Sequence, residues 1–244
     1  MPNRAAIVTG GSSGIGLAIA HMLGQEGHAL TVAARRPDKL AAAAEELRGA
    51  GFDVHEVAGN MADEETIKGV VAAHEERFGR LDVLVNNAGV GVGAAAAEHE
   101  TKRIDLQLSV NLRAIVLFYR ESLPLLRAAA AEHRNALVVN TSSISGKSGQ
   151  PWLSVYSATK AAVIGFSEAT QKEVASDVIQ VTALCPGFVD TPMTEYVRGQ
   201  VGQEDMIFPE DIAESVRFLL RTSPNCLVPE LVFTRPDELP GTVG

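Results

Sequence analysis

The sequence predicts an α/β fold in which a parallel sheet carries helices on both faces. Three observations predict it. Short β-rich apolar runs alternate with longer helical patterns. Several of the runs are apolar at consecutive positions, as strands buried on both faces require. The first run ends in a glycine-rich turn that opens directly into a helix.

The candidate strands are Ala5–Val8, Ala29–Ala33, Val54–Val57, Val83–Val85, Ala136–Asn140, Ile179–Leu184 and Glu230–Phe233. Helices are read over Ile15–Gln25, Asp38–Arg48, Asp63–Phe78, Ile104–Glu132, Val155–Ala175 and Pro209–Arg221. Pro37-Asp38, Asp63 with Glu64 and Glu65, and Pro209-Glu210-Asp211 are start signals. Alanine runs at 41–44 and 128–131 fall in helical patterns, where alanine is the strongest helix former. The run at 94–97 follows Gly91-Val92-Gly93 and stays open between a helix start and a loop. No linker or repeat divides the chain, so residues 1–244 read as a single domain. The tail 235–244, with Pro236 and Pro240, is expected to fray.

A chain of 244 residues can bury a core without a disulfide or metal staple. It carries 21 Lys+Arg against 30 Asp+Glu, a net charge of −9. That balance argues against nucleic acid and anionic membrane, which need a basic surface. A polyanionic ligand would have to be held by a local basic spot. Cys185 and Cys226 are too few for a disulfide framework or a zinc site. The histidines lack metal-ligand spacing, so no metal is expected; they read as solvated or capping residues. No secretory signal is visible, and no stretch approaches the roughly 18 apolar residues of a membrane span. A soluble, cytoplasmic protein is expected.

The strand Ala5–Val8 runs into Thr9-Gly10-Gly11-Ser12-Ser13-Gly14-Ile15-Gly16 and then a helix. This arrangement suits a dinucleotide: Gly10 permits the tight turn, Gly14 a close backbone approach to the pyrophosphate, and Gly16 close packing of the helix. The helix N-terminus adds free N–H groups and positive dipole. The second strand ends in Ala34-Arg35-Arg36, where many NAD-binding sheets place a carboxylate for the ribose 2′-hydroxyl. Two guanidinium groups there favour a 2′-phosphate, hence NADP(H), with NAD(H) as the alternative. Arg35 is the stronger candidate, and Arg36 would stack on or face the adenine. A bland alternative has one arginine merely solvating the next helix.

Tyr156 and Lys160 lie four apart on one helix face. An ammonium near a phenol lowers the phenol pKa, which suits Tyr156 to acid/base work. Ser143 precedes them by thirteen residues, just beyond a strand, where a hydroxyl can polarise a carbonyl.

With these residues the chain resembles the short-chain dehydrogenase/reductase family over nearly its whole length. The resemblance rests on Thr9-Gly10-x3-Gly14-x-Gly16, Asn86-Asn87-Ala88-Gly89, Asn111, Ser143, Tyr156-x3-Lys160, and Pro186-Gly187 with Thr191. It implies a single Rossmann-type domain with a seven-stranded sheet in the order 3-2-1-4-5-6-7. It implies that Tyr156 is the general acid in reduction and the base in oxidation, and that Ser143 hydrogen-bonds the substrate oxygen. Lys160 would lower the Tyr156 pKa and bind the nicotinamide ribose. Asn111 would hold a relay water through its backbone carbonyl. Ser12, Ser13 and Ile15 belong to the phosphate turn. Asn87, Ala88 and Gly89 would line the cofactor and support the sheet, and Pro186, Gly187, Val189 and Thr191 would meet the carboxamide. Asn60-Met61 stands where relatives have an aspartate holding the adenine amino group, a bond that Asn60 can accept through its amide oxygen.

The substrate is expected to be a small or medium, mostly uncharged carbonyl compound or alcohol, covered by a short lid at 191–208. The C-terminal segment looks more like that of small hydroxy-acid and alcohol dehydrogenases than of acyl-carrier-protein reductases. A 3-oxoacyl-thioester reductase and a non-catalytic NADP(H)-binding sensor or scaffold are the alternatives. An epimerase or dehydratase would need an added C-terminal domain. Trp152, Leu153 and Phe188 either line the substrate pocket or cap the core. A homodimer or homotetramer, built on the helices at 104–132 and 155–175, is expected from the resemblance.

Overall fold

The structure, a computed structural model, describes residues 4–133, 135–199 and 201–236. Its strands are β1 (Ala5–Thr9), β2 (Ala29–Ala34), β3 (Val54–Ala58), β4 (Val83–Asn86), β5 (Ala136–Thr141), β6 (Ile179–Pro186) and β7 (Glu230–Phe233). All neighbours pair in parallel in the order β3-β2-β1-β4-β5-β6-β7. This is the doubly wound sheet expected from the alternation of elements.

The helices are α1 (Gly14–Gln25), α2 (Pro37–Gly49), α3 (Glu64–Phe78), α4 (Thr101–Leu108), α5 (Ala114–His133), α6 (Ser154–Glu173) and α7 (Pro209–Arg221). Successive strand residues point to opposite faces. Ala6 and Val8 of β1 therefore join one apolar cluster with α1, α2 and α7, and Ile7 joins the other with α3 and α5. Helix α6 covers the second face, with Tyr119 of α5 edge-on to Phe166 at 5.5 Å between centroids. Helix α3 is capped by Asp63, whose carboxylate accepts from Thr66 N at 2.8 Å. It ends at Gly79 in a left-handed conformation.

Several expectations need correction. The helix read over Ile104–Glu132 is three pieces: α4, a π-helical turn at Ser109–Arg113, and α5. A π turn adds a residue to one turn, which a 3.6-residue pattern averages away. Residues 94–97, left open between a helix start and a loop, take the loop alternative, with a 3₁₀ turn at Ala96–Glu98. His28 and His74 are buried; His28 Nδ1 bonds Leu23 O in the last turn of α1 at 3.3 Å, which is the capping alternative, whereas His74 is neither solvated nor a cap. His74 bonds Thr31 Oγ1 through Nδ1 at 2.7 Å and Arg80 O through Nε2 at 2.8 Å, and burial pushes its pKa down to about 4. It is a neutral cross-link between strand and helix. The tail does not start at Arg235, which is buried with its guanidinium 5.6 Å from the Phe188 ring. Residues 237–244 lie outside the described residues. Among the described residues no helix is long and apolar enough to cross a membrane, and no cluster of side chains could hold a metal.

Candidate active site

The strand order reverses between β1 and β4, and a cleft opens there at the carboxyl ends of the strands, where open α/β sheets bind ligands. Its volume is about 500 Å³, within the usual range for ligand pockets. Every predicted cofactor residue except Gly16 lines it, from Gly10–Ile15 after β1 to Pro186–Thr191 after β6. Tyr156, Lys160 and Ser143 share the same cleft.

Gly16 lies behind the turn. A Cβ there would sit 2.3 Å from Gly10 O and 2.6 Å from Asn87 Nδ2, so only glycine lets α1 start this close to the turn. Gly14 has φ +53, and its missing Cβ leaves room for the Thr191 side chain at 2.8 Å. The turn and the segment after β6 thus meet across the cleft. No side chain caps α1: Ser13 is its N-cap without a side-chain bond. Its first-turn N–H groups keep the anion-binding character of a helix start.

Arg35 and Arg36 follow β2 at the cleft rim, both exposed. Among the described residues neither guanidinium has a side-chain partner, whereas nine other arginines are ion-paired. Asn60 and Met61 also line this end, but Asn60 Oδ1 accepts from Ala62 N at 3.2 Å. Half of the acceptor capacity expected to face adenine therefore closes a local turn.

Asn87 N and Ala88 N both donate to Thr9 Oγ1 at 3.0 Å, which locks the end of β4 onto β1. Asn86 Nδ2 donates to Asn140 Oδ1 and Asn140 Nδ2 to Ser167 Oγ, each at 2.9 Å. This buried ladder fixes β4, β5 and α6 together, and with them the side chains they present to the cleft.

Lys160 is buried, and its Nζ donates to Thr141 O at 2.7 Å. Nζ stands 5.6 Å from the Tyr156 ring centroid. Burial pushes the Lys160 ammonium down to about 8. Burial also pushes the Tyr156 phenol up to about 12, against the pull of a hydrogen bond from Ser143. The expected lowering of the Tyr156 pKa by Lys160 is thus overturned by desolvation, which disfavours the phenolate. Ser143 Oγ accepts from Ser145 N at 3.1 Å and donates to Pro186 O at 3.4 Å.

Asn111 sits in the π-helical turn and is fully buried, outside the cleft lining. Its Oδ1 accepts from Val90 N at 2.8 Å, and its Nδ2 donates to Val90 O at 2.9 Å and Thr159 Oγ1 at 3.1 Å. Gln107, one α-turn earlier and also fully buried, accepts from Val92 N at 3.2 Å. The pair clamps the 90–92 loop, whose Gly91 would place a Cβ 3.8 Å from the Tyr156 ring. Sequence reasoning missed Gln107, Thr141 and Thr159; the one signal for Gln107 is its spacing of four from Asn111.

The segment after β6 is tied at its base. Val189 and Ile207 form a parallel bridge, and Asp190 accepts from Gln203 Nε2 at 2.6 Å. Val197 and Met206 are buried, while Met193 and Tyr196 are exposed.

A doubly wound sheet, a glycine-rich turn at its switch point and a Ser–Tyr–Lys group in one cleft define a Rossmann-type dinucleotide-binding oxidoreductase. A family model described as short chain dehydrogenase matches residues 4–202. The chain belongs to that family, whose members act between CH–OH and carbonyl groups. It is 40% identical over 193 residues to the granaticin polyketide synthase putative ketoacyl reductase 1 of Streptomyces violaceoruber, covering 79% of this chain and 70% of that one. It is 33% identical over 226 residues to a 3-oxoacyl-acyl-carrier-protein reductase of Staphylococcus aureus, covering 88% and 90%. Among solved structures, an alcohol dehydrogenase from Thermococcus sibiricus complexed with 5-hydroxy-NADP superposes with TM-score 0.87 at 30% identity, covering 98% of this chain and 99% of that one. A variant of actinorhodin polyketide ketoreductase with NADPH gives TM-score 0.85 at 34% identity, covering 94% and 95%.

Proposed function

We propose that the protein is an NADP(H)-dependent carbonyl reductase, working between a small or medium carbonyl compound and its secondary alcohol. The convergence of Ser143, Tyr156 and Lys160 in the cleft that also holds the glycine-rich turn carries this reading. The unpaired Arg35 and Arg36 support the 2′-phosphate preference, as do the NADP-type complexes of the two similar structures. The first-turn N–H groups of α1 would hold the pyrophosphate, and Pro186, Gly187, Val189 and Thr191 the carboxamide end.

The nicotinamide, when bound, supplies the hydride. The chain supplies orientation and the proton. Tyr156, held protonated by burial, donates its O–H to the carbonyl oxygen as negative charge grows there. Ser143, turning its O–H away from Pro186 O, donates a second hydrogen bond to the same oxygen. Lys160 is largely charged at neutral pH and faces the ring, so it stabilises the phenolate left behind. The Gln107–Asn111 clamp keeps Gly91 against Tyr156. Residues 191–208 serve as the lid, and a cytoplasmic homodimer or homotetramer through α5 and α6 completes the reading; sedimentation as a monomer would remove the oligomer from it.

A 3-oxoacyl-thioester reductase is the second reading, favoured by the names of the similar ketoacyl reductases. Loss of NADPH absorbance with free ketones and aldehydes, run beside 3-oxoacyl thioesters, separates the two. Turnover of thioesters alone would replace the first reading by the second, and no turnover of either would sink both.

A further inference from the structure

Trp152 is the single tryptophan of the chain and is 69% exposed. It also holds φ +67, a left-handed backbone that is rare for a bulky residue. The local turn explains the angle. Leu153 N donates to Gln150 O at 3.2 Å, Pro151 takes the second position, and Trp152 takes the third. A turn of this form wants glycine or asparagine at the third position. The sequence instead spends strain there and turns a large apolar ring toward solvent, a combination that points to use rather than packing.

The neighbouring loop gives the ring its place. Gly91 packs toward the Tyr156 ring at 3.8 Å, and Gly93 toward Trp152 Cε3 at 4.0 Å, both measured from an added Cβ. Ala94 N donates to Trp152 O at 2.9 Å, which ties the two loops together. Two residues of chain span at most about 7 Å. The indole therefore stands near the rim of the cleft that Gly91 and Tyr156 line, outside the lining itself, with no side chain at Gly91 or Gly93. Neither 90–95 nor 148–153 contains a charged residue.

We propose that Trp152 is a specificity-determining platform at the rim of the cleft that binds an uncharged aromatic or alicyclic substituent of the substrate extending beyond the reacting carbonyl. This deepens the carbonyl-reductase reading and rests on it for catalysis, though not for binding. Aromatic contacts of this kind discriminate by about tenfold.

The test compares 4-phenylbutan-2-one with butan-2-one, which share the reacting methyl ketone and differ by the phenyl ring. The wild type is expected to favour the phenyl ketone by about tenfold or more in kcat/KM. Trp152→Gly, which suits the turn and should keep or raise the Tm, is expected to lose about tenfold of that preference, while Trp152→Phe retains most of it. Binding is read independently of turnover by the emission of the sole tryptophan, with NADP⁺ present. The phenyl ketone is expected to shift it saturably to the blue, and butan-2-one not. An unchanged preference in Trp152→Gly, or no shift with the phenyl ketone, overturns the platform. So does a changed sedimentation of Trp152→Gly with preference intact, which would make Trp152 a subunit contact. A saturable shift without turnover of either ketone keeps the platform and removes the carbonyl-reductase reading.

Discussion

Replacing Lys160 by methionine should flatten one part of the pH dependence of stability. Burial lowers the folded pKa of Lys160 from 10.5 to about 8, with little compensation from neighbouring charge. At 1.36 kcal/mol per pKa unit, the folded state pays roughly 3 kcal/mol to keep the ammonium charged. The sign follows from linkage. Below pH 8 both states are protonated and the penalty is complete. As pH rises from about 8 toward 10.5 the folded protein sheds the proton first, the unfolded chain binds more protons, and stability rises. About 2 kcal/mol of this relief falls between pH 7 and pH 9.5. The bond from Nζ to Thr141 O persists in both charge states, so its loss in the variant is a pH-independent offset. Denaturant unfolding of wild type and Lys160→Met across this range gives the difference directly, since titrations shared by both proteins cancel. The wild type should gain about 2 kcal/mol on the variant as pH rises. Parallel profiles, or a wild type that loses ground, would refute the claim that burial dominates this site.

Two further outcomes follow from the same geometry. Arg35→Ala should raise the KM for NADPH by about tenfold to a hundredfold, the worth of a charge-assisted contact, and leave the KM for NADH nearly unchanged; equal effects would remove Arg35 from the 2′-phosphate role. Gln107→Ala should cost about 1–3 kcal/mol in unfolding free energy, because Val92 N loses its buried partner. It should also lower kcat more than it changes the KM for NADPH, since the loosened loop touches Tyr156 rather than the phosphate turn; an effect confined to stability would reduce Gln107 to a packing role.

The strands were legible because most are runs of β-branched and small apolar residues bounded by turns, and the observed C-terminal ends lie at most two residues beyond the sequence reading. The site was legible where backbone demands leave a residue signature, as at Gly14 and Gly16, or where two functional side chains share a helix face, as at Tyr156 and Lys160. What stayed hidden depends on three-dimensional surroundings. The π turn around Asn111 has no composition signal, and Gln107 is an ordinary polar helix residue until the 90–92 loop is seen against it. The Tyr156 pKa was misjudged because spacing shows the nearby ammonium but not the burial that outweighs it. Arg235 looked like part of a Pro-rich tail, yet its side chain packs over Phe188.

In the proposed mechanism Tyr156 delivers the proton while other groups hold the cofactor. Tyr156→Phe removes one oxygen and keeps the ring against Gly91. The variant's NADPH affinity, read by fluorescence titration, should match that of the wild type, and its ketone reduction should fall by roughly 10²–10⁴-fold. Turnover near the wild-type rate with NADPH bound would contradict the account.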